Sequence, residues 1–334
     1  MVLVPPTSIT VMTPATSANL GPGYDSLGLA LQLYNRFTVE LGGRDPYTPQ
    51  IEVQGELGAG LSTGPDNLFF RSFALLFERR QLPLPAVKIQ MTIAIPPGCG
   101  LGSSATAVVG GLMAANELLR LQDPGLAYAK EDLLGPAVEA EAGNHPDNVA
   151  PALLGGLVAT TTVDGEIRAV KTHFPDALKA VIFTPSFPMD TVAGRKLLPA
   201  AYSKADVTFN TGRVALLLAA LQTGHYEVIG EAMQDRLHQP YRQALFPEMP
   251  AIIEAAIAAG AYGASLSGGG SSLIALADAN FHTILQSMRE TARSLGIDGR
   301  GMILSADQQG ARVIAPHKRV RKNKSYHRMP GTLV

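Results

Sequence analysis

The chain of 334 residues has one cysteine, Cys99, no tryptophan, and only 16% charged residues. A single cysteine cannot close an intrachain disulfide, and no Cys/His grouping has zinc-ligand spacing. A disulfide-stapled scaffold and a zinc module are thereby excluded, and a reducing compartment is indicated. Charge is scarce and balanced overall: Lys plus Arg number 27 and Asp plus Glu 28, giving −1, which points to no nucleic acid and no charged membrane surface as a partner. No Lys or Arg occurs between Met1 and Asn35, and no apolar run reaches the ~18 residues of a membrane span. Neither a secretory leader nor a membrane anchor is expected, and a cytoplasmic protein is.

Apolar residues are abundant, at 46%, which excludes an intrinsically disordered chain and a coiled coil. The length is roughly twice the ~150 residues expected of one domain. Segments Ser8–Thr13, Phe37–Leu41, Ile51–Gln54 and Val87–Ile95 read as strands, the last stopped by Pro96, Pro97 and Gly98. Val108, Leu112, Ala115 and Leu119 recur at helical spacing after Ser103 and Ser104, two serines able to cap a first turn. The polar stretch between Thr161 and Lys179 divides the chain into halves 1–165 and 166–315. The second half alternates helices (Val192–Leu198, Gly212–Thr223, His225–His238, Ala251–Ala259, Phe281–Leu295) with strands at 180–184, 263–267 and 272–276 and a last strand at 300–304 or 311–315. Residues 316–334 form a tail with six basic residues and no acidic one, which leaves 21 basic against 28 acidic groups in the body. A solvated tail is expected.

The sharpest local feature is Pro96-Pro97-Gly98-Cys99-Gly100-Leu101-Gly102-Ser103-Ser104-Ala105-Thr106. Glycines at alternate positions let a backbone fold closely around an anion, and the helix that follows aims free N–H groups and a positive dipole end at the same point. The loop is not a Walker A loop, since no Lys follows its last glycine. Nor is it a dinucleotide fingerprint, since Ser103 stands where that pattern needs glycine.

Four segments in order carry a wider likeness: 14–25 (PATSANLGPGYD), the glycine loop at 96–106, His145-Pro146-Asp147-Asn148-Val149-Ala150-Pro151, and 266–272 (LSGGGSS). They resemble the motifs of the GHMP kinases, and the first and third are similar to those of the homoserine kinases within that superfamily. The likeness runs over roughly residues 8–315. It implies an α+β GHMP kinase fold of two layered halves with the active-site cleft between them, the second half ferredoxin-like, and a homodimer. The implied reaction is phosphorylation of the hydroxyl of L-homoserine by ATP with Mg²⁺, giving O-phospho-L-homoserine on the route to threonine.

By the same resemblance, residues 96–106 hold the ATP phosphates, Gly268 and Gly270 support them from the other half, and Asn67 lies on the adenine side. Ser104 and Glu139 are the expected Mg²⁺ ligands, with Glu141 the second candidate for the carboxylate. Asn19, Asp25, His145, Arg195 and Arg242 match positions that hold the amino acid; a guanidinium pairs with a carboxylate through two hydrogen bonds. Thr191 falls beside the transferred phosphoryl group. Asn148 stands where some GHMP kinases place an aspartate base, which suggests transfer without a side-chain base, with Asp25 as the fallback acceptor. Gly269 and Ser271 depart from the family pattern, which has Ala and Pro there. A kinase for mevalonate, a sugar or shikimate is the alternative reading, and a silent ligand-binding relative the third. Cys99, close to a helix N-terminus, is expected to have a lowered thiol pKa and to block ATP when modified.

Overall fold

The computed structural model describes residues 8–141 and 146–314. In chain order the elements are β1 (Ser8–Asn19), β2 (Gly23–Leu41), β3 (Gln50–Gln54), α1 (Leu68–Arg79), β4 (Val87–Thr92), α2 (Ser103–Gln122), α3 (Leu134–Ala140), α4 (Pro146–Leu154), β5 (Leu157–Val163) and β6 (Glu166–Thr172). The second half adds β7 (Lys179–Pro185), α5 (Thr191–Lys196), α6 (Lys204–Thr223), α7 (Ile229–Ala232), α8 (Gln239–Arg242), α9 (Met249–Ala258), β8 (Gly263–Leu266), β9 (Leu273–Ala277), α10 (Phe281–Ser294), β10 (Gly299–Leu304) and β11 (Arg312–Ile314).

The first sheet runs β11-β1-β2-β4-β3, with β5 and β6 attached through the inner part of β2. Its strands show the period of two that a half-buried sheet requires: Val87, Ile89 and Met91 of β4 are buried while Lys88, Gln90 and Thr92 face out. Helices α1 and α2 cover the buried face. The helical spacing in α2 is confirmed, with Val108, Leu112, Ala115 and Leu119 all in the core. Gly110 and Gly111 inside that helix carry a propensity cost, and packing explains them. A Cβ on Gly111 would lie 2.2 Å from the Phe69 carbonyl oxygen, and one on Gly110 2.6 Å from the Phe37 ring, which stacks on Phe69 at 4.7 Å.

The long β1–β2 hairpin joins two cores. Its outer part contributes Ile9, Val11, Phe37 and Val39 to the α1/α2 cluster, and its inner part contributes Ala15, Leu20, Leu27, Leu29 and Leu31 to a second cluster shared with the C-terminal half. The register shift between Pro14 and Ala15 marks the change of direction. The connecting turn is thereby carried into the other half of the molecule.

The second sheet has order β10-β7-β9-β8, all antiparallel. With α5–α9 between β7 and β8, and α10 between β9 and β10, this is the βαββαβ ferredoxin-like arrangement expected. Alternate residues of β7 face opposite ways: Val181 and Phe183 pack against α9 and α10, Ala180 and Ile182 against α6 and α7.

Two expectations about organisation change. A division at residue 165 falls inside the β5–β6 hairpin, which pairs from Leu157↔Thr172 to Val163↔Glu166, and β11 returns to pair with β1. The polar stretch there is a solvent-facing hairpin, and the chain passes to the second sheet between Thr172 and Lys179. A continuous helix over 225–238 is also not formed: α7 ends at Ala232, and Asp235 takes the N–H groups of Leu237, His238 and Gln239. The basic tail at 316–334 lies outside the described residues. No helix among the described residues is long and apolar enough to cross a membrane.

Candidate active site

The loop between β4 and α2 has left-handed backbone at Gly98, Gly100 and Gly102, with φ of 69°, 76° and 67°. Two of these glycines are required by space as well. A Cβ at Gly102 would stand 1.9 Å from Thr16 Oγ1 and 3.2 Å from Asn148 Oδ1; one at Gly100 would stand 2.2 Å from the Ser267 carbonyl oxygen. The two serines do not cap α2. Gly102 occupies the cap position without a side-chain bond, and Ser103 turns its hydroxyl to the Ile95 carbonyl. The first N–H groups of a 20-residue helix therefore face the cleft, the arrangement that takes an anion.

The Ser267–Ser272 segment packs against this loop. Ser267 Oγ donates to the Gly100 carbonyl at 2.6 Å, and the Ser272 N–H donates to the Cys99 carbonyl at 3.0 Å. Gly268 and Gly269 line the cleft, while Gly270 lies beneath Gly100. Gly100→Ala is expected to push the two halves apart at backbone contacts that cannot yield. We expect at least a ~100-fold loss of kcat/KM for ATP, equal to about 2.7 kcal/mol, in a variant that still folds by circular dichroism; wild-type nucleotide affinity in titration calorimetry would refute it.

Not every loop residue is placed to touch a nucleotide. Gly98, Gly100, Gly102, Ser103, Ser104 and Ala105 line the cleft. Leu101 is core, and its carbonyl accepts the Thr16 N–H. Thr106 is wholly buried, bonded to Asn35 and to the Ser103 carbonyl. β4 ends at Thr92, short of the expected Ile95, so Pro96 and Pro97 do not end the strand; they lie in the loop and are not on the cleft wall. Cys99 is buried, and burial pushes its thiol up, against the lowering expected from the helix terminus; it is a poor nucleophile.

At the other end of the cleft stand the candidate substrate residues. Asn19 Nδ2 donates to the Gly268 carbonyl at 2.9 Å, and its Oδ1 accepts the Asp25 N–H at 3.0 Å. That bond holds Asp25 at φ 54°, a left-handed conformation uncommon for a non-glycine and frequent at functional sites. Asp25 takes a two-bond pair from Arg195, at 2.7 and 3.0 Å. Arg195 also donates to the Tyr24 hydroxyl at 2.5 Å. Arg242 is 1% exposed, yet lines the cleft. Its Nη1 donates to the Gly268 carbonyl at 2.9 Å, and its Nε has no partner among the described residues. Both guanidinium groups lie over the Tyr24 ring, at 5.3 and 5.5 Å. Thr191 starts α5 at the cleft wall, against Gly269.

Asn148 faces the glycine loop and accepts a 2.7 Å bond from Thr16. Its neighbour Asp147, which no sequence signal distinguishes from the rest of the motif, is the strongly perturbed carboxyl of the cleft. It is 3% exposed and lines the cleft, with Oδ1 unpartnered among the described residues. Burial first, then the nearby Asp25 charge, push its pKa up to about 7 against the opposing pull of Arg195 and the Asp147 and Asn148 N–H groups.

The metal expectation shifts by two residues. Glu139 is in the last turn of α3, turned away from the cleft into an exposed ion pair with Arg79, beside a separate groove along α1. Glu141 follows the helix end in extended conformation and lies on the cleft wall with Ser104. The Ser104 hydroxyl bonds to its carboxyl, whose pKa burial raises. Oε2 is buried without a partner among the described residues. Asn67 caps α1 through Phe69 and Phe70 and donates to the Ser62 carbonyl, so both ends of its amide are engaged in the turn. His145 lies outside the described residues.

The cleft between these groups measures ≈160 Å³, below the ~300–1,000 Å³ of pockets that enclose larger ligands. It suits a small zwitterion with the terminal phosphates of a nucleotide: two carboxylates and two guanidiniums at one end, and helix N–H groups with a hydroxyl–carboxylate pair at the other.

Two family models match the chain: the GHMP kinases N terminal domain over residues 67–156 and the GHMP kinases C terminal region over 217–294. Homoserine kinase of Microchaete diplosiphon is 43% identical over 307 residues, 91% of this chain and 96% of that one. Homoserine kinase of Desulfitobacterium hafniense is 39% identical, covering 92% and 100%. The crystal structure of homoserine kinase from Cytophaga hutchinsonii superposes with a TM-score of 0.83 at 32% identity, covering 92% and 98%. L. major mevalonate kinase, at 18% identity and a TM-score of 0.68 over 90% of this chain and 96% of that one, shares the fold.

Proposed function

The chain belongs to the homoserine kinase family of the GHMP kinases, and from that premise we propose that its cleft transfers the γ-phosphoryl group of ATP to the side-chain hydroxyl of L-homoserine. The observation that carries this reading is the Asp25–Arg195–Arg242 cluster facing the open N-terminus of α2 across one small cleft. An amino acid needs an acceptor for its ammonium and donors for its carboxylate, and Asp25 and the two arginines supply them. A mevalonate or sugar substrate has no ammonium to match the carboxylates.

The residues present fit a hard cation. A buried carboxylate oxygen with no partner among the described residues, beside a serine hydroxyl, is a hard-oxygen donor set that would suit Mg²⁺. Glu141 and Ser104 would hold it, in place of the expected Glu139. Bound there, Mg²⁺ would supply charge neutralisation for the phosphates. The glycine loop and the α2 N–H groups hold the phosphate chain, Thr191 borders the transferred group, and Asn148 is kept in place by Thr16.

Asp147 lines the cleft next to Asn148, which faces the phosphate loop, and feels the charges of Asp25 and Arg195; a homoserine held by its ammonium and carboxylate at that pair would extend its hydroxyl past Asp147 towards the phosphates. The substrate oxygen forms its bond to the γ-phosphorus while the bond from phosphorus to the bridging oxygen breaks, its electron pair leaving on ADP. The hydroxyl proton passes to the Asp147 carboxylate and then to solvent. Asp25, bound through two hydrogen bonds to Arg195, is poorly placed for that role. A cytoplasmic homodimer completes the reading.

ADP release measured with ATP and Mg²⁺ against L-homoserine, D-homoserine, mevalonate, galactose and shikimate tests it. Turnover is expected with L-homoserine, and a preference for any other alcohol of the panel would overturn the substrate assignment.

A further inference from the structure

His238, outside every motif read from the sequence, is wholly buried behind the cleft. Its Nε2 lies 2.7 Å from the Gly21 carbonyl oxygen. A carbonyl only accepts, so Nε2 carries the proton, and in the neutral ring Nδ1 is left as an acceptor. Arg242 Nη1, which can only donate, lies 3.2 Å from it. The neutral ring is consistent with its surroundings: burial and the Arg242 charge depress the His238 pKa against the pull of Asp235. The ring also stacks on Tyr24, 5.2 Å between centroids at 27°.

One side chain thus fastens the turn that leads into Tyr24 and Asp25, and with its other nitrogen holds the guanidinium of Arg242. Two features make this more than filler. Gly21, at φ 86°, is pressed against Met233, where a Cβ would lie 2.2 Å from a carbonyl oxygen, so the turn has no slack of its own. Packing over the Tyr24 ring confines Arg242, but apart from His238 its side chain's one hydrogen bond among the described residues is from Nη1 to the Gly268 carbonyl, and Nε has none.

We propose that His238 is a positioning residue whose Nε2–H anchors the Gly21 turn and whose Nδ1 lone pair sets the rotation of Arg242, keeping the carboxylate-binding arginine in register with Asp25. The inference rests on the reading that Arg242 takes the substrate carboxylate, and its test separates the two. Glutamine at 238 keeps a donor near the Nε2 position and loses the acceptor for Arg242, whereas asparagine keeps an acceptor near the Nδ1 position and loses the donor to Gly21.

Kinetics are compared for L-homoserine and for 3-aminopropan-1-ol, which has the same hydroxyl and ammonium without the carboxylate. His238→Gln is expected to raise KM for homoserine roughly 10- to 100-fold, the scale of one hydrogen bond to a charged group. KM for ATP and kcat/KM for aminopropanol stay unchanged, so the preference between the alcohols shrinks. His238→Asn keeps the preference within about threefold. An unchanged preference in His238→Gln, or equal losses with both alcohols, overturns the positioning role. Arg242→Lys is the control: if it too leaves the preference intact, the carboxylate reading fails, whatever His238 does. Should the variants not fold, ¹⁵N shifts of the imidazole in the unaltered protein decide, since a proton on Nδ1 contradicts the proposal.

Discussion

Replacing Asp147 by asparagine is expected to lower kcat by roughly 10²–10⁴-fold, the usual contribution of a positioned acid or base, and to raise the melting temperature at the same time. Both effects come from one feature, a carboxyl held out of water with Oδ1 unpartnered among the described residues. In the unfolded chain its pKa is near 3.8; in the folded protein it is about 7. The folded state therefore binds more protons between those values, and stability falls as pH rises through that window. Above pH 7 the ionised side chain costs up to ~4 kcal/mol at ~1.36 kcal/mol per unit. The amide of Asp147→Asn carries no charge, so at pH 8 the variant is expected to melt several degrees higher, by ~2–4 °C for each kcal/mol recovered. Its advantage shrinks as pH falls from 7, where the folded carboxyl becomes protonated, and is gone below 3.8, where the carboxyl is neutral in both states. In the unaltered enzyme kcat/KM for homoserine rises through pH 7 as the acceptor ionises, and this limb is absent from the variant. A kcat within a few-fold of wild type would dispose of the proton-acceptor role, and a melting temperature that does not rise at pH 8 would dispose of the buried charge.

The legible parts of the site are those whose chemistry is local. Left-handed glycines at 98, 100 and 102 are dictated by a tight loop before a helix, and the structure has all three. The apolar stripe of α2 and the alternation in β4 survive because burial of one face reads directly as periodicity. The order of the four motifs carries the fold, including a ferredoxin-like second half that no periodicity reveals. What is not legible depends on contacts distant in sequence. Asp147 is perturbed by desolvation and by Asp25, 122 positions away. His238 sits where helical spacing continues, but Asp235 takes the N–H groups of the following residues and ends the regular pattern. The polar stretch after Thr161 reads as a boundary because an exposed hairpin and a linker have the same composition.

The choice between Glu139 and Glu141 turns on where one helix stops. Inside α3, Glu139 follows the helical direction into Arg79 of α1; Glu141, at φ −77° and ψ 128°, has left the helix and turns to the cleft. Two residues apart on a continued helix they would point about 200° from one another, so a single carboxylate could serve the site and spacing could not say which. Glu141→Gln is expected to weaken the apparent Mg²⁺ affinity and lower kcat by roughly 100-fold or more, since loss even of an outer partner costs 10–100-fold. The isosteric amide keeps a bond to Ser104 and removes a buried charge, so at pH 8 the variant is expected to melt no lower than the unaltered protein. Glu139→Gln removes only an exposed ion pair, worth about 0–1 kcal/mol, and should leave both constants within about threefold. Because burial raises the Glu141 pKa, protons compete with the cation at that carboxyl, and Mg²⁺ binding should weaken as pH is lowered, a dependence lost in the glutamine variant. Titrating Mg²⁺ at fixed ATP and homoserine, at two pH values and for both variants, reads all of this. A loss confined to Glu139→Gln would return the metal to the first helix face and remove the buried Oε2 from the mechanism.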